Sequence, residues 1–474
     1  MKAHMTTIET RHSPLALRKS LMWRIHFWAA LIASPFTLVA TLTGIFYIFT
    51  PQIEAVLYAQ LDHVRVGATL RPLDDAVAAA QAAVPAGYVL QSVLPAYAPG
   101  NTVKVYFKPP RPVSGPAHHA AASMPMDMPM DMPMPAAKPM PMPAPAAATG
   151  SRPFFVAPAK ALVVYVNPYT AAVAGTLAEQ DRFNAWARKL HSGLLQGDGW
   201  RWMIELAASW LMVMLLTGIY LWWPRGRQAV LPRAGLTGRQ GWKEWHAFLG
   251  VALGLLTFIL VSTGLTWSRH AGAQVGLLRD WTHQGSPHLP ATLMSMAPAG
   301  TPRLSWQAAL EATRRQAPDT ALQLTPPHGA MGYWRTGAAE RSHPTRGFDM
   351  ALDAYTGRRL YYVGWDAQTA FGKFTAVGIP FHRGELGWWN QALLLVFALG
   401  VLFSLLSGWV MYWKRRKPGT LGLPRLLPGA WRGASPAFWV LGALLFALMP
   451  LLALTGGVLL VLEWLLLRPW QRAA

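Results

Sequence analysis

Leu190-His191-Ser192-Gly193-Leu194-Leu195 leads into an apolar stretch that ends Leu216-Thr217-Gly218-Ile219. The same pattern returns as Phe381-His382-Arg383-Gly384-Glu385-Leu386, followed by an apolar stretch that ends Leu406-Ser407-Gly408-Trp409. The distal glycine lies 27 residues after the histidine in the first copy and 26 residues after it in the second. Recurrence on this scale indicates an internal repeat, and each apolar stretch is long enough to cross a membrane as a helix.

The helix that opens each repeat carries another histidine. His26 precedes Gly44 by 18 residues, and His246 precedes Gly264 by the same 18 residues. Both glycines follow a threonine inside an apolar run, and a long polar segment comes after each run. The repeating unit is therefore a membrane helix, a polar domain and a second membrane helix.

The composition excludes several classes of protein. The chain has 474 residues, of which 53% are hydrophobic and 13% charged, and the charged share is about half that of soluble domains. The 42 Lys and Arg outnumber the 21 Asp and Glu, but they cluster in short loops beside apolar runs, which favours a role in membrane orientation over binding to nucleic acid. The absence of cysteine excludes disulfides, thiolate metal sites and covalently attached haem.

The apolar runs predict a mainly α-helical membrane protein. We expect about five transmembrane helices and two α+β domains outside the membrane, arranged as a tandem pseudo-two-fold repeat with parallel units. The predicted segments are an N-terminus 1–22, helix 1 at 23–50, an outer domain 51–190, helix 2 at 191–223, a loop 224–244, helix 3 at 245–267, an outer domain 268–381, helix 4 at 382–413, a loop 414–435 and helix 5 at 436–468. Pro450 predicts a kink in the last helix.

Each outer segment has the pattern of a small α+β domain. An Ala-rich helical pattern begins near Leu73 in the first segment and near Ser305 in the second. Strand-like runs follow at 102–108, 161–166, 346–352 and 360–363. Asn167-Pro168-Tyr169-Thr170 and Asp353-Ala354-Tyr355-Thr356-Gly357 have the composition of turns between such strands.

The basic residues predict how the chain sits in the membrane. Residues 1–24, 224–245 and 414–435 together carry 16 Lys and Arg against two acidic residues. An excess of Lys and Arg in short loops marks the cytoplasmic side. We therefore expect a multi-pass protein surrounded by the lipid of a bacterial inner membrane, with a cytoplasmic N-terminus and both large domains in the periplasm.

The four matched histidines predict a cofactor. His26 and His246 fall at the cytoplasmic ends of their helices, and His191 and His382 fall near the outer ends. Two-fold pseudosymmetry can bring each pair face to face, and two facing imidazoles suit the two axial positions of one haem iron. The sequence thus predicts two haem b groups with these four histidines as iron ligands, one group near each face of the membrane.

Two other interpretations of the histidines stay open. A histidine at a helix end is often an interfacial residue without a ligand. The pairs could instead hold a metal ion directly, but tight metal sites usually need three or four protein ligands. Only Glu244 and Glu385 lie beside a member of either pair. Haem supplies four nitrogens of its own, so two histidines suffice. No catalytic residue is predicted.

A Met- and Pro-rich tract interrupts the first outer domain, within a predicted disordered insert at 110–152. Thioether sulfur selects Cu(I), and histidine also accepts Cu(II). The candidate copper ligands are His118, His119, Met124, Met126, Met128, Met130, Met132 and Met134. A low-complexity insertion without a ligand is the alternative.

The duplicated unit of histidine-bearing helix and outer domain resembles the PepSY-associated transmembrane proteins, the iron-regulated membrane proteins that include bacterial ferric-siderophore reductases. The turns at 167–170 and 353–357 resemble the PepSY turn, and the resemblance covers about residues 15–415. It implies PepSY-like periplasmic domains and an inner-membrane, haem-carrying oxidoreductase that passes electrons to ferric chelates. His26, His191, His246 and His382 match the family's histidine pattern, so the resemblance implies the same four haem ligands. The Met-rich tract departs from that pattern.

Three functions compete on these observations. The first is a diheme reductase of a ferric siderophore or another metal chelate, supplied with electrons by a cytoplasmic reductant or quinol. The second keeps this path and makes copper the substrate, captured at the Met-rich tract. The third is a non-enzymatic PepSY scaffold or a chelate permease. A permease should show broken helices at mid-membrane, and Pro35 is the candidate break.

Arginines of the second outer domain could attract an anionic chelate, or form an ordinary solvated basic face. They are Arg335, Arg341, Arg346, Arg358 and Arg359.

Overall fold

A computed structural model of the chain describes residues 12–110, 160–223, 231–287, 289–290, 292–298 and 300–467. The predicted copper site, His118, His119 and the methionines from Met124 to Met134, lies outside the described residues.

Fourteen α-helices occur in the described part of the chain. They are α1 Pro14–Ile48, α2 Thr50–Leu57, α3 Ala59–Asp62, α4 Leu73–Ala82, α5 Phe183–Gly193, α6 Trp202–Trp222, α7 Gly238–Ala252, α8 Gly254–Leu265, α9 Ala271–Trp281, α10 Trp306–Arg314, α11 Ala370–Arg383, α12 Trp388–Arg415, α13 Pro436–Leu448 and α14 Pro450–Leu462.

Three of the described helical segments are long and apolar enough to cross a membrane: α1, α6 with its preceding turn, and α12. The pair α7 and α8 would make a fourth span, bent by 57° at Leu253. Helix α1 continues through Pro35 without ending there. The predicted break at Pro35 is therefore wrong, and the sharp bend lies in the other repeat-opening helix.

The predicted helices at 191–223 and 382–413 begin too early. His191 lies on α5, which ends at Gly193 because Leu194 adopts a left-handed conformation with φ 51°. His382 lies on α11, which ends where Gly384 adopts φ 73°. Positive φ at these positions stops a right-handed helix. Each histidine therefore sits on a short helix that precedes the spanning helix.

The predicted single helix at 436–468 is two helices, α13 and α14. Pro450 lacks the N–H that a continuing helix needs, and Met449 before it is extended, with φ −127° and ψ 80°. Phe438 of α13 packs beside Leu21 of α1. Glu463, directly after α14, forms an ion pair with Arg24 of α1 at 3.3 Å. Both ends of this helix pair thus meet the same end of α1.

The strands form one antiparallel sheet in the order β4-β3-β2-β1-β5-β6-β7-β8. They are β1 Val89–Leu94, β2 Val103–Lys108, β3 Leu162–Val166, β4 Val173–Ala178, β5 Leu322–Thr325, β6 Trp334–Ala338, β7 Asp349–Leu352 and β8 Arg359–Val363. The two predicted outer domains share this sheet because β1 pairs with β5, with Val93 opposite Leu324. The order is mirrored about that junction.

Helices α4 and α10 cover one face of the sheet and hold its two halves together. Leu73 and Val77 of α4 and Leu310 of α10 join the strand residues in one buried apolar cluster. The Asp74 carboxylate accepts hydrogen bonds from the N–H groups of Trp306 and Gln307, at 2.9 and 3.0 Å, at the start of α10. These N–H groups have no partner within their own helix, so the first half of the chain caps a helix of the second.

Candidate functional site

The structure brings His26 and His246 together at the end of the bundle farther from the sheet. We call them the loop-side pair. His26 lies on α1 and His246 on α7. Their ring centroids are 6.5 Å apart, and the ring planes are nearly perpendicular at 88°. Two imidazoles bound linearly to one metal ion at about 2.0–2.1 Å would place their ring centroids about 6.4 Å apart. The observed separation matches this value.

His191 and His382 form the sheet-side pair. They lie on α5 and α11, the helices that connect the sheet to α6 and α12. The two residues are close enough for their charges to interact. The four predicted residues are thus brought together in the two combinations that the repeat suggested.

Every one of the four imidazoles contacts a buried hydroxyl group through Nδ1. His26 meets Thr217 at 3.0 Å, and His246 meets Ser407 at 2.9 Å. In the sheet-side pair, His191 meets Thr43 at 3.0 Å and His382 meets Thr263 at 3.1 Å. Each hydroxyl comes from a helix other than the one that carries its histidine. The same arrangement therefore occurs four times.

The hydroxyls fix which ring nitrogen carries the proton. Each one donates its single hydrogen to a carbonyl of its own helix, as Thr217 does to Val213 at 2.6 Å. The same holds for Thr43, Thr263 and Ser407. The hydroxyl oxygen can then only accept, so Nδ1 is the protonated donor and Nε2 keeps its lone pair.

Nε2 is the nitrogen left for a ligand. Within the described residues, no group hydrogen-bonds to Nε2 of the four histidines. A metal-bound histidine commonly donates its other ring N–H to a fixed acceptor, which sets the tautomer and the ring orientation. All four side chains are therefore prepared to bind a metal ion through Nε2.

A glycine follows each of these hydroxyl residues and lets the imidazole lie against the helix. A methyl group added at Gly264 would be 3.2 Å from Cε1 of His382, and one at Gly218 would be 3.3 Å from Cε1 of His26. The corresponding distance is 3.4 Å from Gly44 to His191 and 3.7 Å from Gly408 to His246. These Ser/Thr-Gly pairs recur visibly in the sequence, but their role in positioning the histidines depends on contacts between helices, which the sequence does not show.

Gly193 and Gly384, which follow two of the histidines, lie where the short helices end. Gly193 is the last residue of α5 and precedes Leu194 with φ 51°, and Gly384 ends α11 with φ 73°. His191 and His382 therefore sit in the final turn of their helices.

One histidine of each pair is also flanked by an aromatic ring and an arginine. Trp23 is stacked on His26 with centroids 6.3 Å apart, and the Arg415 guanidinium lies 5.4 Å from the Trp23 ring. Tyr47 is stacked on His191 at 6.5 Å, and its hydroxyl accepts a hydrogen bond from Arg383 at 2.8 Å. Trp23 lies on the same helix as His26, but the sequence did not indicate the other contacts because Arg415, Tyr47 and Arg383 lie on segments distant from the histidine they flank.

The glutamates next to the two pairs have different partners. Glu385 forms an ion pair with Arg383 at 2.9 Å and lies 3.8 Å from Arg341. Burial lowers the pKa of Arg341, and the Glu385 carboxylate acts in the opposite direction. At the loop-side pair, Glu244 instead bonds Arg233. Among the described residues, no three His, Asp or Glu side chains converge as a metal site, so each pair offers two imidazoles.

The arginines predicted to attract a chelate do not form one free basic face. Arg335 makes a two-pronged ion pair with the buried Asp349 carboxylate, at 2.9 and 2.6 Å. Arg359 lies over the Tyr362 ring. Arg341 is directed to Glu385, as described above.

Spanning helices joined to an antiparallel sheet, with two histidine pairs held between the helices, define a polytopic membrane protein. The chain belongs to the family of the PepSY-associated TM region, whose model matches residues 23–415. The resemblance found in the sequence is thereby confirmed at the level of the family. Comparison with curated proteins gave no match.

Proposed function

We propose that the protein is an inner-membrane oxidoreductase that carries two b-type haems and reduces a ferric chelate, such as a ferric siderophore, on the periplasmic side. The electrons come from a cytoplasmic reductant or from the quinol pool. In this proposal the chain is a tandem repeat, and each repeat contributes one histidine to each pair.

One observation carries the proposal: four imidazoles with the same orientation, grouped as two pairs. In each, a buried Ser or Thr hydroxyl holds the proton on Nδ1 and leaves Nε2 available. The 6.5 Å separation of the ring centroids of His26 and His246 would allow both residues to hold one haem iron. An interfacial histidine without a ligand needs no such support. That interpretation therefore does not account for an arrangement that occurs four times.

Haem b, when bound, supplies a one-electron carrier at each pair. The residues of the chain hold this group and shield it from water. The hydroxyls of Thr43, Thr217, Thr263 and Ser407 orient the ligands, and the apolar helices exclude water. If both histidines of a pair held the iron, the group would suit electron transfer rather than binding of oxygen.

The direction of transfer follows from charge and topology. The ends of the helices away from the sheet carry the basic loops 231–245 and 414–435, which favours a cytoplasmic location for the loop-side pair. The sheet then lies in the periplasm, next to the sheet-side pair. A chelate would meet the protein there, and reduction of Fe(III) to Fe(II) by one electron would weaken its hold on the metal.

The test is an absorption spectrum of the purified protein, oxidised and reduced, with haem quantified per chain. We expect sharp low-spin b-type bands and about two haems per chain. The reduced protein should then reoxidise when a ferric siderophore is added under anaerobic conditions, with Fe(II) trapped by a ferrous chelator. A gallium siderophore, which cannot be reduced, is the control.

Absence of haem after expression with ample haem supply would remove the proposal. Two haems per chain without reoxidation by any ferric chelate would support the haem cofactors and would exclude ferric chelates as the substrate.

A further inference from the structure

Each histidine pair lies beside a group of arginines that the ligation scheme does not use. The loop-side cluster consists of Trp23, Phe27, Arg239 and Arg415. The sheet-side cluster consists of Tyr47, Arg341, Arg383 and Glu385. Each cluster contains the aromatic ring that is stacked on a histidine of the neighbouring pair. This ring is Trp23 on His26 and Tyr47 on His191.

The loop-side cluster has two positive charges and no carboxylate. The guanidinium carbon of Arg415 lies 5.4 Å from the centre of the Trp23 ring and 5.6 Å from that of Phe27. Arg239 is close enough to Arg415 for their charges to repel. Within the described residues, neither arginine forms an ion pair; Arg415 donates only to the carbonyl of Gly422. Arg415 is half-buried and Arg239 is exposed, so this edge of the bundle is positively charged and open to an anion.

The sheet-side cluster also has an excess of positive charge. Within the described residues, Glu385 forms ion pairs with both Arg383 and Arg341. Arg188 adds a further positive charge that acts on Tyr47. The Arg383 guanidinium is held in place, since it donates to the Tyr47 hydroxyl and pairs with Glu385. This cluster therefore also suits an anionic group placed next to the His191–Tyr47 stack.

We propose that the two clusters are binding sites for the propionate carboxylates of the haems, one cluster for each haem. The proposal rests on the proposed function. A b-type haem carries two propionates, so it brings two negative charges to each pair. At the loop side these charges match Arg239 and Arg415 in number, and guanidinium groups bind carboxylates with directed hydrogen bonds.

The proposal predicts which arginines set the reduction potential of which haem. A positive charge near the iron favours the reduced state, so its removal lowers the potential. Arg415→Gln should make the loop-side haem about tenfold harder to reduce, about 59 mV for a one-electron step. Arg383→Gln should act in the same direction on the sheet-side haem alone.

The measurement is a spectroelectrochemical titration of the full-length protein, with the loop-side haem identified by its loss in His26→Ala. Arg416→Gln is the matched control, since it removes the same charge from the next position, outside the cluster. Each protein is titrated with haem b and, after expression without haem, with haem b dimethyl ester, whose propionates carry no charge.

With haem b, Arg415→Gln should lower the reduction potential of the loop-side haem alone. Arg416→Gln should change both potentials only slightly. Arg415→Gln should also release haem b to an apo-haemoprotein acceptor faster than Arg416→Gln does, and with the dimethyl ester the two variants should release haem at equal rates. Faster release of the dimethyl ester from Arg415→Gln as well would overturn the proposal, because the arginine would then act without a propionate. No shift with haem b would also overturn it.

These outcomes are distinct from failure of the proposed function. If the function fails, the wild-type protein binds no haem and gives no titration. If an external anion occupies the loop-side cluster instead, adding inorganic phosphate should shift the wild-type potential and leave Arg415→Gln unchanged, and the propionate proposal is then wrong.

Discussion

The loop-side pair and the sheet-side pair share their ligand support and differ in their surroundings. In both, Nδ1 of each histidine lies 2.9–3.1 Å from a Ser or Thr hydroxyl on another helix. Around the loop-side pair, Arg415 lies over Trp23 and Phe27 without a carboxylate. Around the sheet-side pair, Arg383 is bonded to Tyr47 and Glu385.

The two pairs therefore share the groups that orient the histidines and differ in the charged groups beside them. The orientation of each histidine depends on a hydroxyl and a glycine that are adjacent in the chain, and this adjacent pair occurs four times in the sequence. The charge beside each pair depends on residues from several segments, so each end of the bundle can be adjusted alone. We expect the two sites to bind the same cofactor with different reduction potentials.

The largest effect should come from removing a ligand. His26→Ala and His246→Ala should each remove the low-spin bands of the same haem, and His191→Ala and His382→Ala should each remove those of the other, because an iron held by one imidazole is no longer low-spin. The low-spin bands should fall to those of about one haem per chain, with the same remaining spectrum within each pair. A different grouping of the four variants would contradict the pairing.

The pairing of the histidines and the general plan of the fold could be predicted from the sequence. The 18-residue spacing from His26 to Gly44 and from His246 to Gly264 is visible without a structure. The strand-like run predicted at 161–166 is close to β3. These features depend on local periodicity, which the order of residues preserves.

Other features depend on contacts between distant segments. The pairing of Val93 with Leu324 joins the two halves into one sheet, and no local pattern indicates it. The stacking of Tyr47 on His191 brings together residues that are far apart in the chain. The bend at Leu253 lies in an apolar run without proline, so composition gave no sign of it.

The next effect should come from the hydroxyls. Thr217→Val at the loop side and Thr43→Val at the sheet side remove the acceptor for Nδ1 while keeping the side-chain shape. Loss of such a supporting bond typically weakens metal binding 10- to 100-fold. We expect about tenfold weaker haem retention at the affected pair, measured by transfer of haem to an apo-haemoprotein acceptor. Thr217→Ser is the control and should retain haem as the wild type does.

A smaller and graded effect should come from the glycines. The new methyl of Gly264→Ala would lie 3.2 Å from Cε1 of His382, tighter than ordinary contact, whereas that of Gly408→Ala would lie 3.7 Å from His246. Haem occupancy should fall several-fold in Gly264→Ala and stay near wild type in Gly408→Ala. Alanine favours a helix over glycine by about 1 kcal/mol, so unfolding would not explain a loss. Equal occupancy in both variants would contradict the close approach.

The smallest effect should come from Glu385→Gln. Removing this charge leaves Arg383 and Arg341 less neutralised, so the sheet-side haem should become a few-fold easier to reduce, and the loop-side haem should not change. Redox titration of both haems in the same sample checks this. A shift of both potentials would mean that the surroundings of the two pairs are not independent.

The shared sheet has a mechanical consequence. Backbone pairing of β1 with β5 and the capping of α10 by Asp74 tie the two halves together at the sheet. The sheet-side pair lies next to this seam, and the loop-side pair lies at the other end of the bundle. We therefore expect slow relative motion of the two halves to change the gap between His26 and His246 more than the gap between His191 and His382.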